Sequence, residues 1–331
     1  MPWPVPQAPL DRRLALLPVL RAEGLPMLGT KLGLAALLQA EAIPTPFSRA
    51  VLCPEELEAA LAAFCGPLML KADFGAAGLR VRRAATPSEV LADPPPLGWY
   101  PLLLQRWVAG QGCSIEALFG GGLLLGLLPS TPLRSTHDFG PNLARRFLRE
   151  ATAGVVAALQ ALGRAGGLHG LFNCSFRLPE GGSDALLYEA DPRPNAWHAH
   201  GPGLGVDWGA LMAAQTSSGN SLPCPLQPWG LHPKGQVLYL FPRGPQHALQ
   251  ALSWSAALPW LLCRSSTWDR RLRRDRAIGV WEWQQVGAAA RPWRRFLLLP
   301  FRAVARALPA GLRRNIRERD LAATVLRWLM V

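Results

Sequence analysis

The stretch that decides the fold is YEADPRPN, residues 188–195. Apolar and acidic residues alternate along its first half, which is typical of the end of a β-strand. Glu189 and Asp191 are two residues apart, so their side chains lie on the same face of that strand. Carboxylate oxygens are the ligands that Mg²⁺ takes in proteins, and Arg193 follows them between two prolines. The stretch therefore predicts a strand end that could supply metal ligands beside a cation.

A second motif is the run LMLKADFGAAGLRV, residues 68–81. It predicts a strand ending at Lys71, then a loop of small residues, then another strand. Phosphate groups need a glycine-rich cover and cations that neutralise their charge. Taken alone, a lysine before a glycine loop is typical of a surface turn, and a Glu-x-Asp pair is typical of a solvated loop. Their order along one chain, from Lys71 to Arg193, indicates a site for phosphate and metal.

The apolar periodicity predicts both helices and strands between these motifs. A helix is predicted from Thr30 through Leu38, with Thr30 as its N-cap, and the strongest helical stripe covers residues 141–163. Glycines 120–122 predict a hairpin turn. Strands are predicted at 102–108, 114–119, 123–128, 170–178 and 185–190. Past Gly219 the periodicity weakens and indicates no definite architecture.

Four segments together resemble the ATP-grasp superfamily, especially its carboxylate–amine ligases. KLGLAALLQAEAIPTP, residues 31–46, is similar to the helix and turn that open the family's domain. Residues 68–81 resemble its lysine strand and phosphate loop, and LQRWVAG, residues 104–110, resembles its hinge. Residues 188–195 resemble the E-x-N-P-R signature, which is the most specific of the four. The resemblance implies an α+β ATP-grasp fold in which two α+β lobes clasp ATP and Mg²⁺.

The resemblance also implies a role for each matching residue. Lys71 and the loop after it would hold the phosphates of ATP, and the hinge backbone would contact adenine. Glu189 would bind Mg²⁺, with Asp191 in place of the family's asparagine. Arg193 would face the transferred phosphoryl group, and Arg134 lies where the family often has another phosphate-facing cation. The predicted set is catalytic Arg193 and Arg134; ATP-binding Lys71, Gly75, Ala76, Ala77, Gly78, Gln105, Arg106, Trp107 and Val108; and metal-binding Glu189, Asp191 and Ser175.

Three departures from the family pattern keep two functions open. Ser175 stands where the family has a further metal-binding acid, and QGC, residues 111–113, follows the hinge where a glutamate is common. The residues before Thr30 are too few for the family's Rossmann-like N-terminal lobe, so we expect a trimmed lobe, or one lent by a partner protein or a second copy.

The first hypothesis is an ATP-dependent ligase that activates a carboxylate as an acyl-phosphate for attack by an amine or similar nucleophile. The alternative is a catalytically impaired, ATP-grasp-like nucleotide-binding or scaffold protein. The departures favour the alternative, whereas Lys71, Glu189 and Arg193 are kept and favour the ligase.

These motifs divide the chain into three predicted regions. A short N-terminal segment covers 1–29, an ATP-grasp domain covers 30–220, and a basic region rich in Trp and Arg covers 221–331. Within the domain, the small lobe is predicted at about 46–108 and the large lobe at about 109–220. The C-terminal region is expected to be a mostly helical extension.

The chain is basic, with 35 Lys and Arg against 22 Asp and Glu and a formal net charge of +13. Such an excess favours anionic partners: nucleotides, nucleic acid or an acidic membrane face. Core packing and Arg–Trp contacts explain the tryptophans more simply than base stacking does, so nucleic acid is disfavoured. Residues 296–307 are basic and amphipathic apart from the break at Pro300, so peripheral membrane contact stays open.

The remaining sequence features carry little function of their own. The 6 cysteines are scattered without a CxxC pair, which argues against a metal centre or a disulfide framework. His198 and His200 have no third ligand at metal spacing, so a loop role is preferred. The N-terminus lacks the pattern of a signal peptide, and we expect a cytoplasmic protein.

Overall fold

The computed structural model describes residues 17–75, 77–181, 185–218 and 236–239. Nearly all of them belong to one compact unit, residues 1–237. The predicted C-terminal region, with its amphipathic stretch at 296–307, lies outside the described residues apart from 236–239. No helix within the described ranges combines the length and the apolar character that a bilayer span requires.

Helices and strands are mixed along the chain, which confirms the predicted α+β class. The helices are α1 (Lys31–Ala40), α2 (Leu57–Leu61), α3 (Pro87–Ala92), α4 (Ala153–Gly166) and α5 (Trp208–Ser218). The strands are β1 (Ser48–Val51), β2 (Leu68–Ala72), β3 (Val81–Ala84), β4 (Leu102–Arg106), β5 (Gln111–Gly120), β6 (Leu123–Ser135), β7 (Asn142–Phe147), β8 (Gly170–Leu178), β9 (Leu186–Asp191) and β10 (Gln236–Tyr239). Short 3₁₀ helices cover Ala22–Met27, Pro54–Glu56, Leu97–Trp99 and His198–Leu204.

The smaller sheet has the antiparallel order β1-β4-β2-β3. Leu70 and Leu104 pack on one of its faces in a buried cluster with residues of α2 and α3. Successive side chains of a strand point to opposite faces, so Lys71 and Gln105 lie on the other face. The sheet therefore presents a packed side and a side with polar groups.

The larger sheet has the order β10-β7-β6-β5-β8-β9. β5 and β6 form the predicted hairpin, and Gly121 and Gly122 take φ angles of 59° and 83° at its turn. On one face, Ile115 and Phe172 belong to a buried core with Leu38 of α1 and Leu159 of α4. The opposite face of β5, β8 and β9 carries the polar residues described below.

The helix predicted at 141–163 is wrong over its first part. Residues 142–147 form β7, which pairs antiparallel with β6, and α4 begins only after Thr152. The buried Leu143 and Phe147 fit helical spacing as well as strand spacing. Arg145 between them is also buried because it meets an acid from β5. That long-range contact decides for the strand, and local periodicity does not reveal it.

Candidate functional site

A cleft of about 850 Å³ is lined by both sheets, by the start of α1 and by the loop between β2 and β3. Most of the residues that the sequence predicts as a site meet there. Those that line it are Lys71, Gly75, Ala77, Gly78, Gln105, Arg106, Trp107, Val108, Glu189, Asp191 and Arg193.

Three predicted residues are placed differently. Ala76 lies outside the described residues, and Arg134 is exposed on β6 and is not among the residues that line the cleft. Ser175 is buried on β8, directly opposite Glu189 of β9, and its side chain hydrogen-bonds with that of Tyr188. A serine held in this way is a neutral neighbour of Glu189 rather than a second charge beside it.

Two polar rows cross β5, β8 and β9 on the side of the sheet away from the core. The first row joins Ser114, Ser175 and Glu189, and the second joins Glu116, Asn173 and Asp191. Residues directly opposite on paired strands share a face, and residues two apart on one strand do too. This register explains why both acids of the 188–195 motif lie on the face away from the core.

Lys71 is a buried cation on β2. Its Nζ donates to Oε1 of Gln105 at 2.7 Å and lies 4.8 Å from the ring centre of Tyr188. Burial lowers the pKa of Lys71 to about 8, Glu189 acts against that shift, and Lys31 and Arg177 add to it. Among the described residues no carboxylate forms a salt bridge with Lys71, so its charge is available to an anion in the cleft.

Lys31 is a cleft residue to which the sequence analysis gave no role. Its Nζ donates to the carbonyl oxygens of Ala72 at 2.9 Å and Asp73 at 3.1 Å. Oδ1 of Asp73 in turn accepts the backbone N–H groups of Lys31 and Leu32, at 2.8 and 2.9 Å. Burial lowers the pKa of Lys31, against the attraction of Glu189, Asp73 and Asp191. A cation in the first turn of a helix opposes the helix dipole. The lysine at position 31, directly after the N-cap, is therefore the feature of the sequence that could have indicated a functional role.

The two acids of the motif line the same cleft as Lys31 and are close enough for their charges to act on it. The pKa of Asp191 is raised, first by burial and then by the nearby charge of Glu189. Nη2 of Arg193 lies 3.1 Å from Oδ2 of Asp191 and offsets part of that repulsion. Carboxylate oxygens are the ligands that a hard divalent cation takes, so this pair could hold one.

The metal-ligating side chains are few. No group of three or more His, Cys, Asp or Glu residues gathers within the described ranges. His198 is buried, with Nε2 3.1 Å from the carbonyl oxygen of Phe172, which is a structural environment. A cation held by Glu189 and Asp191 would need its other ligands from water or from a bound phosphate, which is how Mg²⁺ is commonly held.

The hinge between the sheets places Trp107 in the cleft wall. The guanidinium groups of Arg83 and Arg177 lie 4.6 and 4.7 Å from its ring centre. Nη1 of Arg177 also donates to the carbonyl oxygen of Gly110 at 3.1 Å, which ties β8 to the hinge. The indole is thus held by two cations, and this end of the cleft has a fixed aromatic wall.

The sequence matches no protein-family model and no curated protein, but the fold is similar to solved structures of ligases. Phosphoribosylamine–glycine ligase of Thermotoga maritima has a TM-score of 0.52 and 18% identity, over 64% of this chain and 59% of its own. N5-carboxyaminoimidazole synthetase of Staphylococcus aureus, complexed with ADP, has a TM-score of 0.53 and 12% identity, over 72% and 64%. An ADP complex of N5-carboxyaminoimidazole ribonucleotide synthetase has 0.52 and 15%, over 68% and 59%.

The chain spans less than two thirds of the length of each of these structures. At such low identities the likeness concerns the fold alone. In this chain two sheets line one cleft, with Lys71 on a strand of one sheet and Glu189 and Asp191 on a strand of the other. The chain has the ATP-grasp fold.

Proposed function

We propose that this protein binds ATP and Mg²⁺ in the cleft and joins a carboxylate to an amine or similar nucleophile through an acyl-phosphate. The observation that carries the proposal is that positively charged and negatively charged side chains line the same cleft. Lys71 and Lys31 are partly or fully buried cations, and Glu189 and Asp191 are a repelling pair of carboxylates. A nucleotide phosphate chain with a divalent cation complements both.

The phosphates of ATP would lie between the two lysines and the loop that joins β2 to β3. Gly78 in that loop has a φ of 73°, and a Cβ there would collide with the carbonyl oxygen of Phe139. The loop backbone thus packs closely where only glycine fits, as loops that cover phosphates do. The lysine charges would stabilise the negative charge of the transferred phosphoryl group.

Adenine would contact the hinge through its backbone. The amides of Arg106 and Trp107 already donate to the carbonyl oxygens of Phe47 and Pro67, at 2.8 and 2.9 Å. The Arg106 guanidinium lies over the ring of Phe47, 5.3 Å from its centre, and Gln105 is engaged by Lys71. Val108 has no hydrogen-bond partner among the described residues, so we assign the adenine-facing amide to it.

Mg²⁺ would be held by Glu189 and Asp191, and it would supply neutralisation of the phosphate charge beside them. The donors fit, because two carboxylates with phosphate and water oxygens complete the shell that Mg²⁺ prefers. Arg193 is mostly exposed and is paired with Asp191, so it can turn towards the phosphoryl group during transfer. In that step an oxygen of the substrate carboxylate would bond to the phosphoryl group and ADP would leave. The nucleophile would then attack the acyl carbon and release phosphate.

A second candidate function is nucleotide binding without turnover. It is favoured by Ser175, which stands opposite Glu189, is buried and hydrogen-bonds with Tyr188. A neutral side chain at that position leaves one acid fewer beside the phosphates. In this case the protein would bind ATP and Mg²⁺ as a scaffold or sensor and release no ADP.

The test is ATP binding measured by calorimetry with and without Mg²⁺, on the wild type, Glu189→Ala and Glu58→Ala. Glu58 is an exposed glutamate of α2 away from the cleft and serves as the matched control. We expect Mg²⁺ to strengthen ATP binding in the wild type and Glu58→Ala but not in Glu189→Ala. A folded wild-type protein that binds no ATP contradicts both candidate functions.

Turnover separates the two candidates. ADP release with a panel of carboxylates and amines, lost in Arg193→Ala, supports the ligase. Tight ATP binding without ADP release across the panel favours the scaffold. The same assay tests Arg134, whose catalytic role stays a prediction: ADP release at the wild-type rate by Arg134→Ala would contradict that role.

Three further features remain proposals. We keep the ATP-grasp domain at 30–220, with lobes at about 46–108 and 109–220. We also keep a partner protein or a second copy as the source of a further lobe for substrate binding. A cytoplasmic location, with or without peripheral membrane contact, stays a prediction.

A further inference from the structure

A fully buried carboxylate, Glu116 of β5, lies under the segment that follows the two acids of the motif. Its Oε1 accepts from Nη1 of Arg145 at 2.6 Å, Nδ2 of Asn173 at 2.9 Å and Nδ2 of Asn195 at 3.3 Å. Its Oε2 lies 2.8 Å from Nδ1 of His198. The side chain of Glu116 has no exposed surface, and the functional site described above makes no use of it.

The partners of Glu116 come from three separate parts of the chain. Arg145 belongs to β7 and Asn173 to β8, while Asn195 and His198 belong to the residues after β9. We call residues 192–198 the anchor segment. Half of the contacts of this carboxylate therefore hold the anchor segment, which carries Arg193 and continues directly from Asp191.

The anchor segment is tied together by short bonds around the same point. The backbone N–H of Trp197 donates to Oδ1 of Asn195 at 2.8 Å, and Nε1 of Trp208 donates to the carbonyl oxygen of His198 at 2.7 Å. The backbone N–H of Asn195 also donates to Nδ1 of His198 at 3.1 Å. Oε2 of Glu116 lies directly against this ring nitrogen and has no hydrogen-bond donor among the described residues.

Glu116 remains charged in this environment. Burial alone raises the pKa of Glu116, but the contacts with His198, Arg145 and Asn195 outweigh it and leave the pKa below its ordinary value. A buried charge that loses its partners is strongly unfavourable. Moving the anchor segment away would remove Asn195 and His198 from the buried charge and leave it with Arg145 and Asn173 alone.

The row Glu116, Asn173 and Asp191 connects this carboxylate to the proposed metal site. Glu116 pairs with Asn173 in the sheet register, and Asn173 pairs with Asp191. We propose that Glu116 is a positioning residue that fixes the anchor segment against the sheet and so directs Asp191 and Arg193 into the cleft. The inference rests on the proposed Mg²⁺ site at Glu189 and Asp191. Groups that orient metal ligands from behind commonly change metal affinity when they are replaced.

A purely structural role for Glu116 makes a different prediction. If the residue only stabilises the fold, its replacement lowers stability without a particular effect on the anchor segment or on the response to Mg²⁺. Ser130→Ala is the matched control, because Ser130 is fully buried in the same sheet. Its Oγ donates to the carbonyl oxygen of Ser114 at 3.0 Å, and it has no hydrogen bond to the anchor segment.

The first measurement needs neither nucleotide nor metal. Hydrogen exchange is followed in the wild type, Glu116→Gln and Ser130→Ala. The reporters are the amides of His198 and His200, which donate to Asn195 and Trp197. We expect Glu116→Gln to exchange about 10-fold faster there, through local opening of the segment, with β2 and β4 unchanged. Equal exchange in all three proteins, or a uniform increase across the fold, overturns the proposal.

The second measurement is the strengthening of ATP binding by Mg²⁺, with EDTA as the metal-free reference. We expect Glu116→Gln to weaken the apparent Mg²⁺ affinity by about 10-fold to 100-fold, with ATP affinity in EDTA unchanged. Should Glu116→Gln not fold, Asn195→Ala removes one anchor contact and keeps the ion pair of Glu116 with Arg145. The same loss in Ser130→Ala, or none in either anchor variant, overturns the proposal.

Failure of the proposed function would look different. A wild type without any response to Mg²⁺ contradicts the metal site, and the exchange of the His198 and His200 amides then decides the anchoring role alone. A wild type that responds to Mg²⁺ while Glu116→Gln and Asn195→Ala respond equally well leaves the metal site standing and removes the positioning role.

Discussion

At the scale of one residue, the buried positive charge of Lys71 lowers the stability of the folded protein. Burial lowers its pKa from an ordinary value of 10.5 to about 8. Between these values the unfolded chain binds the proton and the folded chain does not, so the free energy of unfolding rises with pH across that window. Below it the full cost of the buried charge is present, about 3 kcal/mol at 1.4 kcal/mol per pKa unit.

Replacing Lys71 with methionine should therefore stabilise the protein and abolish its ligand binding. Loss of the hydrogen bond to Gln105 costs about 1 kcal/mol, so we expect the free energy of unfolding to rise by about 2 kcal/mol near pH 7. The gain should shrink to almost nothing near pH 9.5, where wild-type Lys71 is mostly neutral when folded and the unfolded lysine is beginning to lose its proton. Urea unfolding at both pH values measures it. The control is Arg149→Met at an exposed site, which should show no such pH dependence. A Lys71→Met variant less stable than the wild type would contradict the conclusion that the buried charge of Lys71 destabilises the fold.

At the scale of an element, substitutions of the two glycines in the loop between β2 and β3 should have different effects. Gly78 has a φ of 73°, and a Cβ there would collide with the carbonyl oxygen of Phe139. Gly75 has no such φ, and its nearest neighbour would be Cβ of Arg80 at 3.5 Å, an ordinary contact. We expect Gly78→Ala to cost at least about 1 kcal/mol of stability and to weaken ATP binding, whereas Gly75→Ala is tolerated. Thermal unfolding and calorimetry measure both, and equal effects of the two substitutions would refute this account.

The elements also mark where sequence reasoning succeeds and where it stops. β2 follows from a short apolar run that ends at Lys71, and β9 follows from the alternation that ends at Glu189 and Asp191. β7 does not, since Leu143 and Phe147 fit either period and the burial of Arg145 depends on Glu116, from a distant strand. Glu116 itself gave no signal for the same reason. Its four partners come together only in the folded chain.

The whole molecule carries a formal net charge of +13, and under the proposed function this field would attract ATP before any contact forms. Electrostatic steering raises the association rate of an oppositely charged ligand and is screened by salt. The Debye length falls from about 30 Å at 0.01 M salt to about 10 Å at 0.1 M. We therefore expect the ATP association rate to fall roughly several-fold over that range, with a smaller change in the dissociation rate. Stopped-flow binding measures both rates. Adenosine shares the base and ribose but carries no phosphate, so its association rate should stay constant. An equal salt dependence for ATP and adenosine would point to a change in the protein rather than to steering.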